Sequence, residues 1–243
     1  MKTPARRGRL ILAGLAAFFL GCGFLGCSES PTGGGNGDDP RVAYTDLMSL
    51  LTGTSGDVRF LVGGADHWTG GYLTALTNSK VNLGQDITVR FRAEDNGAVL
   101  TDADFRLTVD GLHSIYLFGD VNGQASRIPW LVLDAKDYSS PPADEVRVQF
   151  IHAMAGLETA VDVFLDGTLV WSGAGYRELS SRRNMAPPTS LRVRNLDDVL
   201  WESSDLDVFE AGGIYRVYLV HDGGKVTGEP QVFIEAHTPP PGN

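Results

Sequence analysis

The stretch Val146–Gly173 reads VRVQFIHAMAGLETAVDVFLDGTLVWSG, and its patterning decides the fold class. Val146, Val148 and Phe150 alternate with Arg147 and Gln149, the period of two that points successive side chains to opposite faces of a strand. Val161, Val163 and Leu165 repeat it. Asp166-Gly167 then supplies the positive-φ pair of a tight hairpin that leads into Leu169 and Trp171. Downstream, Leu191 and Val193 oppose Arg192 and Arg194, Tyr215, Val217 and Leu219 form an inward row, and Val232 with Ile234 close the set. Short strands separated by turn residues, with no helical period, predict a sandwich.

A weaker copy of this pattern lies upstream. Asp57, Val58, Phe60, Leu61 and Gly63 match Asp162, Val163, Phe164, Leu165 and Gly167, with one residue of slippage that a bulge would absorb. Trp68, Gly71 and Tyr72 match Trp171, Gly175 and Tyr176; Ile87, Val89 and Arg90 match Leu191, Val193 and Arg194; Trp130–Ala135 (WLVLDA) matches Gln231–Ala236 (QVFIEA). The reading is therefore all-β, with two tandem immunoglobulin-like β-sandwich domains at 41–140 and 145–237. Lys136–Glu145 (KDYSSPPADE) is the stiff polar connector between them, with the boundary near Pro142.

The second unit resembles the domain of unknown function 4397, a bacterial envelope module often found in tandem. Arg147, Val148, His152, Ala153, Val161, Asp162, Val163 and Gly167 fit its pattern, followed by the strand Gly212–Tyr218. Met154 and Ala155 stand where the family has Ser-Pro, and the first unit departs further, with Asp46 or Leu47 near the position of His152. The resemblance implies a fold and a location, and no activity.

Ahead of the repeats, Lys2, Arg6, Arg7 and Arg9 precede the apolar run Leu10–Gly26, and no acid appears before Glu29. This reads as a signal sequence, 1–26. Both cysteines of the chain follow Phe-Leu-Gly, and each resembles a bacterial lipobox, in which the cysteine becomes the lipidated first residue. Cys27 is the favoured lipidation site because cutting there removes the whole apolar stretch; Cys22 is the alternative. The competing reading is an uncleaved membrane helix, for which the run falls short of the ~20 residues that span a bilayer. Residues 27–40 are rich in Gly, Pro and acid and form a disordered tether, and the Pro-rich 238–243 is a disordered tail. The expected address is the cell envelope, lipid-anchored to a bacterial membrane on a periplasmic or outer-membrane surface.

Removing the four leader cations from 20 leaves 16 basic against 30 acidic groups, a net −14. Such a surface repels nucleic acid and anionic lipid and argues against a nucleic-acid partner. Without a cysteine past the export region, neither a disulfide framework nor a Cys-based zinc site is available.

Chemistry-bearing patterns are scarce. Of the five histidines none sits at a metal-ligand spacing, and the acidic run Asp197-Asp198, Glu202, Asp205, Asp207 lacks calcium-loop spacing. There is no Gly-x-Ser-x-Gly and no phosphate-cradling loop. No catalytic residue, metal or cofactor is expected. The residues singled out for ligand binding are the repeated aromatics Trp68, Trp171, Tyr72 and Tyr176, with His152 at the end of its strand. Exposed, the aromatics would stack on sugar rings; buried, they are core, and Trp is highly buried on average. The expected role is a non-catalytic envelope adhesion, scaffold or binding module, with a carbohydrate-binding module as the alternative and a loop-built hydrolase behind it. Its partners would be the membrane through the lipid, and an envelope protein or a glycan.

Overall fold

The computed structural model describes residues 10–12, 42–53, 57–82, 87–108, 112–122, 129–135, 139–225 and 227–237. Cys22, Cys27, the tether 28–40 and the tail 238–243 lie outside the described residues, and of the expected leader only Leu10–Leu12 is described.

The strands are β1 (Leu10–Leu12), β2 (Val42–Thr52), β3 (Val58–Val62), β4 (Ala65–Gly70), β5 (Ala75–Asn82), β6 (Ile87–Asp95), β7 (Ala98–Leu107), β8 (Leu112–Asp120) and β9 (Trp130–Ala135) in the first half. The second half has β10 (Val146–His152), β11 (Val161–Leu165), β12 (Thr168–Ala174), β13 (Arg183–Met185), β14 (Leu191–Asn195), β15 (Asp198–Ser203), β16 (Ile214–His221) and β17 (Pro230–His237). The chain is all-β; among the described residues there is no α-helix.

Four sheets form. In the first half they run β5-β2-β8-β9 and β4-β3-β6-β7; in the second, β13-β10-β16-β17 and β12-β11-β14-β15. The order recurs strand for strand. In each half the opening strand runs parallel to the seventh, β2 beside β8 and β10 beside β16. An immunoglobulin constant-type sandwich puts its first, second, fifth and fourth strands in one sheet. Here the first joins the fourth, seventh and eighth, so the expected immunoglobulin order does not describe these sheets. The second strand lies in the opposite sheet, where the short turn after Leu165 pairs it with the third and its other edge pairs with the fifth.

Each half encloses its own core. Val148, Phe150, Val163, Trp171, Val193, Trp201, Val217 and Ile234 meet between the two sheets of the second half, and Leu47, Phe60, Phe91, Leu107, Ile115 and Leu117 between those of the first. The expected turn forms at Asp166 and Gly167, with φ of 47° and 74°, and the Asp166 carboxylate accepts hydrogen bonds from the Thr189 and Ser190 amides.

Pairing corrects the register expected between the copies. Phe60 faces Trp68 and Ala93, while Val163 faces Trp171 and Val193, so Phe60 corresponds to Val163 and not to Phe164. The pairs Asp95–Ala98 and Asn195–Asp198 close corresponding hairpins, which places Phe91 opposite the role of Leu191 and leaves Ile87 without a counterpart. The physical cause is length: β6 has nine residues and β14 five.

A third apolar cluster lies between the halves. Met48, Leu50, Tyr116 and Phe118 on the far face of β2 and β8 pack against Ile151, Ala153, Tyr218, Val220 and Phe233 on the far face of β10, β16 and β17. The two inner sheets thus stack back to back, giving four β layers. Each Met, Leu, Ile, Val or Phe of this set contributes ~1.5–3 kcal/mol on burial. At the other edge of β17, β1 runs parallel, Leu10 beside Val232 and Leu12 beside Ile234.

Candidate functional site

The polar groups that the fold gathers most tightly lie in this junction. Arg216 of β16 has a side chain only 6% exposed, inside an otherwise apolar contact. Its Nη1 donates to Ser114 Oγ at 2.9 Å, its Nη2 to Asp134 Oδ2 at 3.1 Å and its Nε to Gln149 Oε1 at 3.4 Å, and its guanidinium lies 5.4 Å from the Tyr116 ring centre. Arg182 adds a second cation to Asp134 at 2.7 Å. Glu235 accepts a hydrogen bond from the Tyr218 hydroxyl at 2.7 Å and lies 3.0 Å from His237 Nε2.

Electrostatics follow from that packing. Burial opposes the charge of Arg216, but the Asp134 and Glu235 carboxylates outweigh it and hold the guanidinium firmly charged. Burial alone would push Glu235 up. The charge and hydrogen bond of His237, the Tyr218 hydroxyl and Arg216 together overcome it and bring the carboxyl down to about 2. Both tyrosines are raised, first of all by burial, and stay neutral.

Corresponding positions meet across the junction. Ser114 faces Asp134 in its pair of strands as Arg216 faces Glu235, and Asp46 faces Ser114 as Gln149 faces Arg216. On the same register Tyr116 corresponds to Tyr218, and these two rings touch edge-on at 6.3 Å. This is the self-complementary pattern of a two-fold dimer interface. The symmetry is broken at two of these positions: Ser114 is small and neutral where Arg216 is long and charged, and Asp46 is charged where Gln149 is neutral.

The residues picked from sequence do not join this cluster. Trp171 is buried against Phe150, and its indole N–H donates to the Ser181 carbonyl at 2.8 Å. Trp68 is half-buried on Phe60, ring centres 5.2 Å apart, and its six-membered ring lies so close over Gly70 that an added Cβ would sit 2.0 Å from it. Trp171 thus belongs to the core of its half, while Trp68 keeps part of its surface exposed. Tyr72 bridges the halves: its hydroxyl donates to the His221 carbonyl at 2.9 Å and accepts from the His221 amide at 3.0 Å. Tyr176 is half-buried, edge-on to His152 at 5.8 Å and beneath Arg177.

His152 is fully buried. Burial first of all, and the neighbouring His221, lower it to about 4, opposed by the backbone carbonyls of Thr159 and Leu157. It is a neutral histidine inside the core. In the first half Ser49 holds its register, three residues beyond Asp46. Among the described residues no three His, Cys, Asp or Glu side chains are grouped to hold a metal ion. The acids Glu202 and Asp197 pair with Arg192 and Arg194 on the outer face.

The junction residues Asp134, Gln149, Arg216 and Glu235 carry no motif in the sequence. Their one signal is apolar or long side chains on both faces of a strand, as in Tyr215–Val220. No protein-family model matches the chain, and no curated protein matches it with significance.

Proposed function

We propose that this chain is a non-catalytic, lipid-anchored cell-envelope protein in which two tandem β-sandwich domains, each of eight strands, are fused back to back into a rigid adhesion or scaffold module. The observation that carries this reading is the Arg216 network. The convergent charged groups, which in an enzyme would face a cleft, here face each other between the two inner sheets and fix the domains in one orientation. A stiff body on a tether of about 13 residues presents its loops and outer sheets at a set distance from a membrane. The partner is an envelope protein or a glycan, bound on those outer surfaces. The likeness of Arg147–Gly167 to the domain of unknown function 4397 favours the same address.

Cell fractionation with a fatty-acid analogue tests the anchor. Cys27→Ser should abolish labelling and release the protein from the membrane fraction, while Cys22→Ser should leave both intact. Retained labelling in both single variants and in the double variant would overturn the lipoprotein reading.

A further inference from the structure

We propose that His237 is a proton-operated latch across the junction, tying β17 to β2 when its imidazole is charged and loosening them when it is not. Its side chain is 5% exposed and each ring nitrogen has a carboxylate beside it: Nε2 lies 3.0 Å from Glu235 Oε2, and Nδ1 3.9 Å from Asp46 Oδ2 in the other half of the chain. An imidazolium presents an N–H on both sides and matches this pair.

The ring's neighbours and the groups bonded to them give the same answer. β2 supplies Asp46, β9 Asp134, β17 Glu235, β16 Arg216 and the neutral Tyr218, β8 the neutral Tyr116, and the segment before β13 supplies Arg182. Among the described residues, three carboxylates meet two guanidiniums, and the imidazolium brings that sum to zero. A net buried charge is the costly arrangement. Arg216 Nη1 lies 3.1 Å from His237 Nε2 and can only donate. In a neutral ring that nitrogen could accept it, but its lone pair would then also face Glu235. In the charged ring Nε2–H donates to Glu235, and Arg216 Nη1 keeps its bond to Ser114 Oγ at 2.9 Å.

A proton bound more tightly by the folded than by the unfolded chain makes stability greatest at low pH and lost as pH rises. His67, His113 and His152 act with the opposite sign, since burial lowers all three, His152 to about 4. They shape the acid limb and leave the neutral-to-alkaline limb to His237. The latch depends on the junction alone, and holds whether or not the chain is exported or lipidated.

The test is the thermal midpoint of the full chain from about pH 7.5 to about pH 9.5, above the range in which the histidines of the unfolded chain titrate and where only a histidine raised by its carboxylates discharges. The wild type should lose about 3 °C or more across that range. Asp46→Asn leaves a neutral ring charge-balanced and should abolish the slope while the protein stays folded; His237→Gln should also abolish it. An unchanged slope in both variants overturns the latch. Should His237→Gln fail to fold, ring nitrogen NMR of the wild type decides: an imidazolium pattern at about pH 7 supports the proposal, and a neutral imidazole there overturns it.

Discussion

Arg216 and Arg90 make the same bond in opposite surroundings. Arg90 pairs with Asp104 across β6 and β7, Nε to Oδ1 at 2.9 Å and Nη2 to Oδ2 at 3.3 Å, on an outer face where its side chain is 56% exposed. Arg216 reaches Asp134 at 3.1 Å with its side chain 6% exposed. By geometry the exposed pair is the better one, yet water screens it and competes for both partners. In the junction no water replaces a lost partner, so removing one ion leaves the other uncompensated. Location, more than bond length, sets what each arginine contributes. The outer ladder shapes the surface, while the inner one decides whether the two halves stay together.

The largest expected effect breaks that comparison directly. Arg216→Met should cost about 3–5 kcal/mol in urea unfolding, because Asp134 and Glu235 remain buried with one cation fewer. Arg90→Met should leave the midpoint unmoved. Equal effects from the two would mean that the junction is wet and the contrast empty.

Acid unfolding is next in size. The carboxyl of Glu235 is held at about 2 against a usual 4.5. Such a depressed group contributes stability above the unfolded value, and the contribution is lost as pH falls from about 4.5 through about 2; a shift of this size is worth about 3 kcal/mol. Glu235→Gln should flatten the acid limb of a denaturation curve. Asp104 is also depressed, by its bond to Arg90, yet it is exposed, and Asp104→Asn should leave that limb unchanged. Tyr218→Phe removes one donor to Glu235 and should cost roughly 1.5–3 kcal/mol, as expected for a hydrogen bond to a charged group.

The outer sheets were legible in sequence because one face of each meets a core and the other meets water. Val161–Leu165 is buried at every second residue, and the turn that follows carries its preferred residues. The inner sheets hide from the same test. In β8 eight of nine residues are buried, and β16 is buried from Tyr215 to His221, so alternation carries no signal where both faces are covered. Tyr215, Val217 and Leu219 read correctly as one row, while Tyr218, Val220 and Phe233 on the opposite face belong to a contact no local pattern announces. The candidate site was illegible for a related reason. Arg216 and Ser114 lie 102 residues apart, and Arg216 and Asp134 lie 82 apart, so neither spacing nor motif links them. Trp171 and Trp68 show the converse: repetition marked them, but a repeated core residue and a repeated binding residue read alike until burial separates them.

The smallest expected effect sharpens the comparison between the halves. Corresponding hairpins end on Asn96-Gly97 in the first and on Leu196-Asp197 in the second. Asn96 and Gly97 adopt φ of 49° and 81°, which Asn and Gly tolerate well. Leu196 sits at φ of 53° with 84% of its surface exposed, so it combines a left-handed backbone with no burial to offset it. An ordinary L-residue carries about 1–2 kcal/mol of strain in that region. Leu196→Asn should therefore raise stability by roughly 1 kcal/mol, and Asn96→Leu should lower it by a similar amount. The two changes exchange the same side chains at corresponding left-handed positions, so opposite shifts in the urea midpoint would show that the residue at that position sets what each hairpin contributes. A loss of stability in Leu196→Asn would instead mean that this leucine makes a contact the first half lacks, and the likeness of the two halves would then stop short of their loops.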